Sequence, residues 1–103
     1  MTMNDVSSKK DILLSVIVPV YDVELDYLDE CLSSIENQTF NKYELIIVDD
    51  GAPSETAQYL DEYALHRENV KVIHQSNSGV AVARNNGLDI CNGKYVTFIL
   101  HFN

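Results

Sequence analysis

The sequence predicts an α/β domain of three layers, α/β/α, around a mainly parallel sheet. Two patterns carry that expectation. Four short apolar runs are rich in β-branched residues, and the three segments between them repeat apolar residues at helical spacing. Size agrees: 103 residues make one small domain, and 46% apolar residues suffice for a thin core.

Residues 1–11, MTMNDVSSKKD, are polar and read as a flexible lead-in; without an apolar centre they do not form a signal peptide. LLSVIVPV, residues 13–20, is almost continuously apolar and closed by Pro19, as expected of a strand buried on both faces. Over residues 25–38 the period changes. Leu25, Leu28, Leu32 and Ile35 form one helical stripe. ELIIVDD, residues 44–50, is a second buried strand, broken by Gly51, Ala52 and Pro53. Ser54 occupies an N-cap position before a helix whose inner residues are Tyr59, Leu60, Tyr63 and Leu65. VKVIH, residues 70–74, is a third strand, followed by the turn QSNSG. A helix over 80–91 places Val80, Ala83, Leu88 and Cys91 inward and ends at Asn92-Gly93. KYVTFIL, residues 94–100, is a fourth strand. Strands alternating with helices make right-handed βαβ units. Only His101, Phe102 and Asn103 follow, so residues 12–103 are expected to be a truncated piece of a larger domain.

Charge narrows the function. With 16 acidic against 7 basic residues, the net charge of -9 disfavours a phosphate backbone or an anionic membrane as partner. Cys31 and Cys91 fall in helical segments and read as small apolar residues, a disulfide remaining open. No apolar run approaches the roughly 18 residues that span a bilayer. The chain therefore reads as cytoplasmic, which leaves the Asn37-Gln38-Thr39 sequon without a role.

In open α/β sheets, ligands bind at the carboxyl ends of the strands. Those ends carry Pro19, Val20, Tyr21 and Asp22; then Asp49 and Asp50; then the 75–79 turn leading to Arg84; then His101 to Asn103. Adjacent carboxylates repel, so Asp49 and Asp50 need partners. One can accept hydrogen bonds from a base or ribose, and the other can cap a loop or approach a cation. Both capping the Gly51–Pro53 turn is the structural alternative. Tyr21 offers a flat face to a base or packs at the sheet edge. Gly79 precedes a helix whose free N–H groups suit a diphosphate, and Arg84 can reach a phosphate or pair with an exposed acid. His74 and His101 lack ligand spacing, and neither is assigned to a metal.

Taken together, SVIVPVYD, LxSIxxQTF, YELIIVDDGAPSET, NSGVAVARNNGL and NGKYVTFI strongly resemble the N-terminal half of family 2 glycosyltransferases, over residues 15–99. The resemblance implies a GT-A fold, whose first half is Rossmann-like and binds nucleotide. It implies transfer with inversion from a nucleotide sugar, most often a UDP-sugar, to a glycan or lipid-linked acceptor. Pro19 and Val20 would give backbone contacts to the nucleoside, and Tyr21 would flank the base. Asp22 stands where the family usually has Asn. Asp50 would accept from the uracil N–H with Asp49 supporting the loop. Gly79 would let the chain turn close to the nucleotide, and Arg84 would lie near the diphosphate or hold that loop in place. An Asp50→Ala change is then expected to weaken UDP binding and barely alter the melting temperature.

The family continues past GKYVTFI with an Asp-x-Asp motif that holds Mg²⁺ or Mn²⁺. Here Leu100 to Asn103 stand in its place, and the general base is absent. No catalytic residue and no metal ligand is assigned. This chain alone is expected to bind nucleotide and not to transfer sugar, through a frameshift, a cloning truncation or a deliberate cut. An uncovered fourth strand is expected to favour a homodimer. The full-length protein would work in the cytoplasm, peripheral at the inner membrane face. Two other readings stand beside this one. A non-catalytic nucleotide-binding module differs only in what lies downstream. A flavodoxin-like receiver would need its acidic pair after the first strand and a Lys at a late strand end, which this sequence lacks.

Overall fold

Every strand in the sheet runs parallel to its neighbours. The computed structural model describes residues 12–99, so the lead-in 1–11 and the tail Leu100 to Asn103, His101 included, lie outside the described residues. The elements are β1 (Leu14–Val20), α1 (Leu25–Glu36), β2 (Tyr43–Asp50), α2 (Ser54–Leu65), β3 (Val70–Gln75), α3 (Val80–Ile90) and β4 (Tyr95–Phe98). The sheet order is β3-β2-β1-β4. The chain steps outward from β1 to β3 and then returns past β1 to β4. Right-handed crossovers therefore put α1 and α2 on one face and α3 on the other, which gives the three layers.

Alternation along the strands divides the core. Val16, Val18, Val20, Leu45 and Ile47 face α1 and α2, where Leu28, Leu32, Ile35, Leu60 and Tyr63 cover them. Burying each such side chain contributes about 1.5–3 kcal/mol. Ile17, Ile46 and Val48 face α3 and meet Ala83.

The α3 face departs from expectation. Val80 and Leu88 are not inner positions; both are exposed. The helix rests on the sheet through Ala83 and Gly87 instead. A Cβ on Gly87 would stand 2.8 Å from the Ile17 Cγ2 methyl. That close approach leaves no room for a large side chain beneath α3 and turns Val80 and Leu88 outward. Cys91 follows the helix rather than ending it, half-buried against the same cluster. Cys31 and Cys91 are both free thiols.

Smaller corrections have local causes. Ser54 is the first residue of α2, not its cap; Pro53 takes the cap position, and no side chain caps the helix. Leu65, at the last position of α2, is exposed. The fourth strand is shorter than expected and exposed at all four residues, with β1 as its neighbour.

Candidate nucleotide-binding edge

The strand order reverses between β1 and β4, and the carboxyl ends of the strands form the edge where a ligand fits this architecture. Register brings the first two ends together: Pro19 lies beside Val48 and Val20 beside Asp49. Val20 is buried, whereas Tyr21 and Asp22 emerge into solvent.

Strand alternation sends Asp49 and Asp50 to opposite faces of β2. Asp50 points to the α3 side and is only 5% exposed. Its Oδ1 accepts from the Ser78 N–H at 2.7 Å and from Gln75 Nε2 at 2.9 Å. Its Oδ2 accepts from the Gly79 N–H at 3.0 Å and from Asn77 Nδ2 at 3.2 Å. Burial pushes the Asp50 pKa up, but the donors from Gln75, Ser78 and Gly79 outweigh it and hold the carboxyl below its ordinary range. Asp50 thus anchors the whole turn between β3 and α3. Asn86 of α3 adds a further hydrogen bond, to Gln75 Oε1.

Two glycines permit this turn. Gly51 has φ 79°, and a Cβ there would come within 2.7 Å of the Asn77 nitrogen. Gly79 has φ 99° with open space around it, so conformation rather than room selects glycine. It immediately precedes α3, whose first turn has no side-chain cap.

Asp49 points the other way. Its Oδ1 accepts from the Ala52 N–H at 2.8 Å, which caps the turn into α2. Its Oδ2 lies 2.6 Å from His74 Nδ1. The other ring nitrogen, Nε2, lies 2.7 Å from Asp61 Oδ1 on α2. Asp49 therefore both caps a loop and meets a ring nitrogen of His74. The hydrogen bonds to Asp61 and then Asp49 raise the His74 pKa above its ordinary value.

Arg84 sits on α3 with its guanidinium 5.3 Å from the Phe98 ring centre on β4. Its Nε is buried and makes no hydrogen bond among the described residues. Among the described residues Arg84 makes no ion pair with an exposed acid. A shallow cavity of about 560 Å³ lies instead on α1, lined by Glu24, Asp26, Asp29 and Glu30. Its carboxylates would repel a diphosphate, so it is not the nucleotide site.

The sites read from sequence thus gather along one edge: Pro19, Val20, Tyr21 and Asp22 from β1, Asp49 and Asp50 from β2, and Gly79 before α3. Arg84 stands beside β4. Sequence reasoning missed Gln75, Asn77 and Asn86 as holders of that edge, and gave His74 no role beyond not assigning it to a metal. The polar run from His74 to Asn77 at the end of an apolar strand was the available signal.

Comparison with known proteins agrees with this fold. The family model described as "Glycosyl transferase family 2" matches residues 15–99. The uncharacterised glycosyltransferase EpsJ of Bacillus subtilis is 39% identical over 84% of this chain, and the match covers 25% of EpsJ. The minor teichoic acid biosynthesis protein GgaB of the same organism is 41% identical over 94% of this chain and 11% of its own length. A crystal structure of S. aureus TarS in complex with UDP-GlcNAc superposes with TM-score 0.76 and 35% identity, covering 86% of this chain and 26% of that one. The chain spans about a quarter of the length of EpsJ and of that TarS structure. A family match across most of the residues, carried on a parallel sheet with this edge, places the chain in glycosyl transferase family 2.

Proposed function

We propose that this chain forms the donor-binding edge of a glycosyltransferase. The donor is a nucleotide sugar, a UDP-sugar, and the acceptor a glycan or lipid-linked glycan, with inversion at the transferred carbon. One observation carries the reading. The nucleoside-side residues Pro19 to Asp22, the acidic pair and the Gly79 turn lie along one sheet edge, in a chain 35% identical to a protein crystallised with UDP-GlcNAc and with UDP.

On this reading the exposed Tyr21 ring lies against the base, with the Pro19 and Val20 backbone and Asp22 beside the nucleoside. Asp49 supports the β2 tip. The N–H groups opening α3, with Gly79 and Arg84, face the diphosphate. Asp50 already has two donors on each oxygen, which fills the roughly four lone-pair positions of a carboxylate. A uracil N–H therefore reaches Asp50 by displacing the longest of them, the Asn77 amide.

For members of this family we propose a divalent Mg²⁺ or Mn²⁺ ion at the diphosphate. Among the described residues no group of three or more His, Cys, Asp or Glu side chains is placed to hold a metal. The described residues do not fit that ion, and no step is assigned through it. We assign no general base and no acceptor site among them, and on this reading sugar transfer draws on residues outside them. Among the described residues no helix is long and apolar enough to cross a membrane, and we place the reaction in the cytoplasm. The exposed edge of β4 offers self-pairing of two copies, which sedimentation would reveal as a dimer.

Calorimetry tests the donor site. UDP should bind this chain at least tenfold more tightly than AMP, about 1.4 kcal/mol of discrimination. Equal affinities would overturn the assignment of Tyr21 and Asp50.

A further inference from the structure

His74, which no ligand spacing assigns to a metal, makes an arrangement with definite proton chemistry. Both ring nitrogens face carboxylate oxygens, at 2.6 Å on Asp49 and 2.7 Å on Asp61. A neutral imidazole has one donor and one acceptor, so it can satisfy only one of these oxygens. The second nitrogen would turn a lone pair toward a carboxylate. Only the imidazolium makes both bonds. The titratable groups that face it come from the two elements packed on β3: Asp49 from β2 and Asp61 from α2. Lys71, on its own strand, is held at the far end of the sheet by Glu44. Asp50 points to the opposite face.

We propose that His74 is a protonated clasp that positions the donor site, so that losing its proton weakens nucleotide-sugar binding. The proposal rests on the donor-site reading above. Through Asp49 the clasp holds the Ala52 N–H and hence the turn from β2 into α2; through Asp61 it ties that helix to β3. It also sets a positive charge between the Asp49 and Asp61 carboxylates, in a chain of net charge -9. On deprotonation the ring keeps its Nδ1–H on buried Asp49 and releases exposed Asp61. The link to α2 is cut, and the turn that Asp49 holds at Ala52 loses that support next to Gly51, which packs against Asn77 of the β3–α3 turn. His74 touches no substrate in this scheme; it acts through Asp49 and the turn.

The experiment uses the whole chain and UDP-GlcNAc, whose diphosphate carries no group that titrates near neutrality. NMR should place the His74 titration above the ordinary histidine value of about 6.5, and Asp61→Asn should bring it back toward that value. From about pH 6 to about pH 9 the wild-type affinity should fall roughly two- to fivefold, the scale of one partly solvated charge pair. His74→Gln should bind at the weaker level throughout, with a flat profile. Asp61→Asn, altered at an exposed position, serves if His74→Gln does not fold, and its transition should move to lower pH. A His74 midpoint at or below the ordinary value overturns the clasp. So does a flat wild-type profile across the titration of His74. Absence of UDP-GlcNAc binding at every pH defeats the donor-site reading and the affinity effect with it, while the NMR midpoint still decides whether the clasp exists.

Discussion

The two ends of β2 both bury carboxylates, Glu44 at one and Asp49 and Asp50 at the other, and Glu44 and Asp50 are used differently. At the amino end Glu44 is 1% exposed. It accepts from Ser15 Oγ at 2.6 Å, from Lys71 Nζ at 3.2 Å and from the Asn92 N–H. Gly93 closes the knot by donating to Ser15 Oγ, and a Cβ on it would lie 2.6 Å from the Ser15 nitrogen. Three strands and the segment before β4 are locked there without room for a ligand. At the carboxyl end Asp50 has only neutral donors, and two of them are backbone N–H groups of an exposed turn. Tyr21 is exposed along the same edge. A buried carboxylate is thus no mark of a site by itself. What distinguishes the two ends is whether its surroundings are closed or open on solvent.

The largest effect expected is on stability at the closed end. Glu44→Ala leaves Ser15, Lys71 and the Asn92 N–H without their acceptor and should cost about 2–4 kcal/mol. UDP affinity, measured where the variant is folded, should be unchanged. A mild thermal effect would mean that the amino-end knot does not hold the sheet. Asp50→Ala comes next. It orphans two backbone N–H groups and two amides, so a loss of about 1–3 kcal/mol should accompany weaker UDP binding. The expectation from sequence, binding lost at unchanged melting temperature, is thereby revised. An unchanged melting temperature would show that the turn does not depend on Asp50.

Both carboxylates sit below their ordinary range in the fold, because their donors outweigh burial. Their contribution is intact near neutrality and is lost as pH falls through about 4 and below. His74 has the opposite sign: its raised value keeps its contribution at low pH and loses it as pH rises past the folded-state value. Denaturant melts across pH should therefore show a broad acid loss that Glu44→Ala diminishes, and a small alkaline loss that His74→Gln removes. The smallest stability effect belongs to Tyr21→Ala, within about 0.5 kcal/mol for an exposed residue. The same change should weaken UDP binding by about 1–3 kcal/mol if the ring stacks on the base.

Much of this was legible in the sequence because it is local. The β-branched runs gave the four strands, and Leu28, Leu32 and Ile35 gave the inner stripe of α1. The acid pair at the end of β2 pointed to the edge. What stayed hidden depends on pairings between distant residues. The donors to Asp50 come from residues 75–79, and the Asp49–His74 contact follows from a register in which those residues are neighbours. The inner face of α3 was misread because Gly87 lets the helix approach Ile17, a demand of packing that no periodicity in α3 expresses. β4 is last in the order of the described sheet, and all four of its residues are exposed.

The central claim is that nucleotide binds at the open end of β2 and not at the closed one. Titrating isotope-labelled chain with UDP and following backbone amides by NMR tests it most directly. The account predicts shifts at Tyr21, Asp22, Ser78, Gly79 and the first turn of α3, with Asn92 and Gly93 unmoved. Shifts centred on Asn92 and Gly93, or on the acidic face of α1, would contradict it.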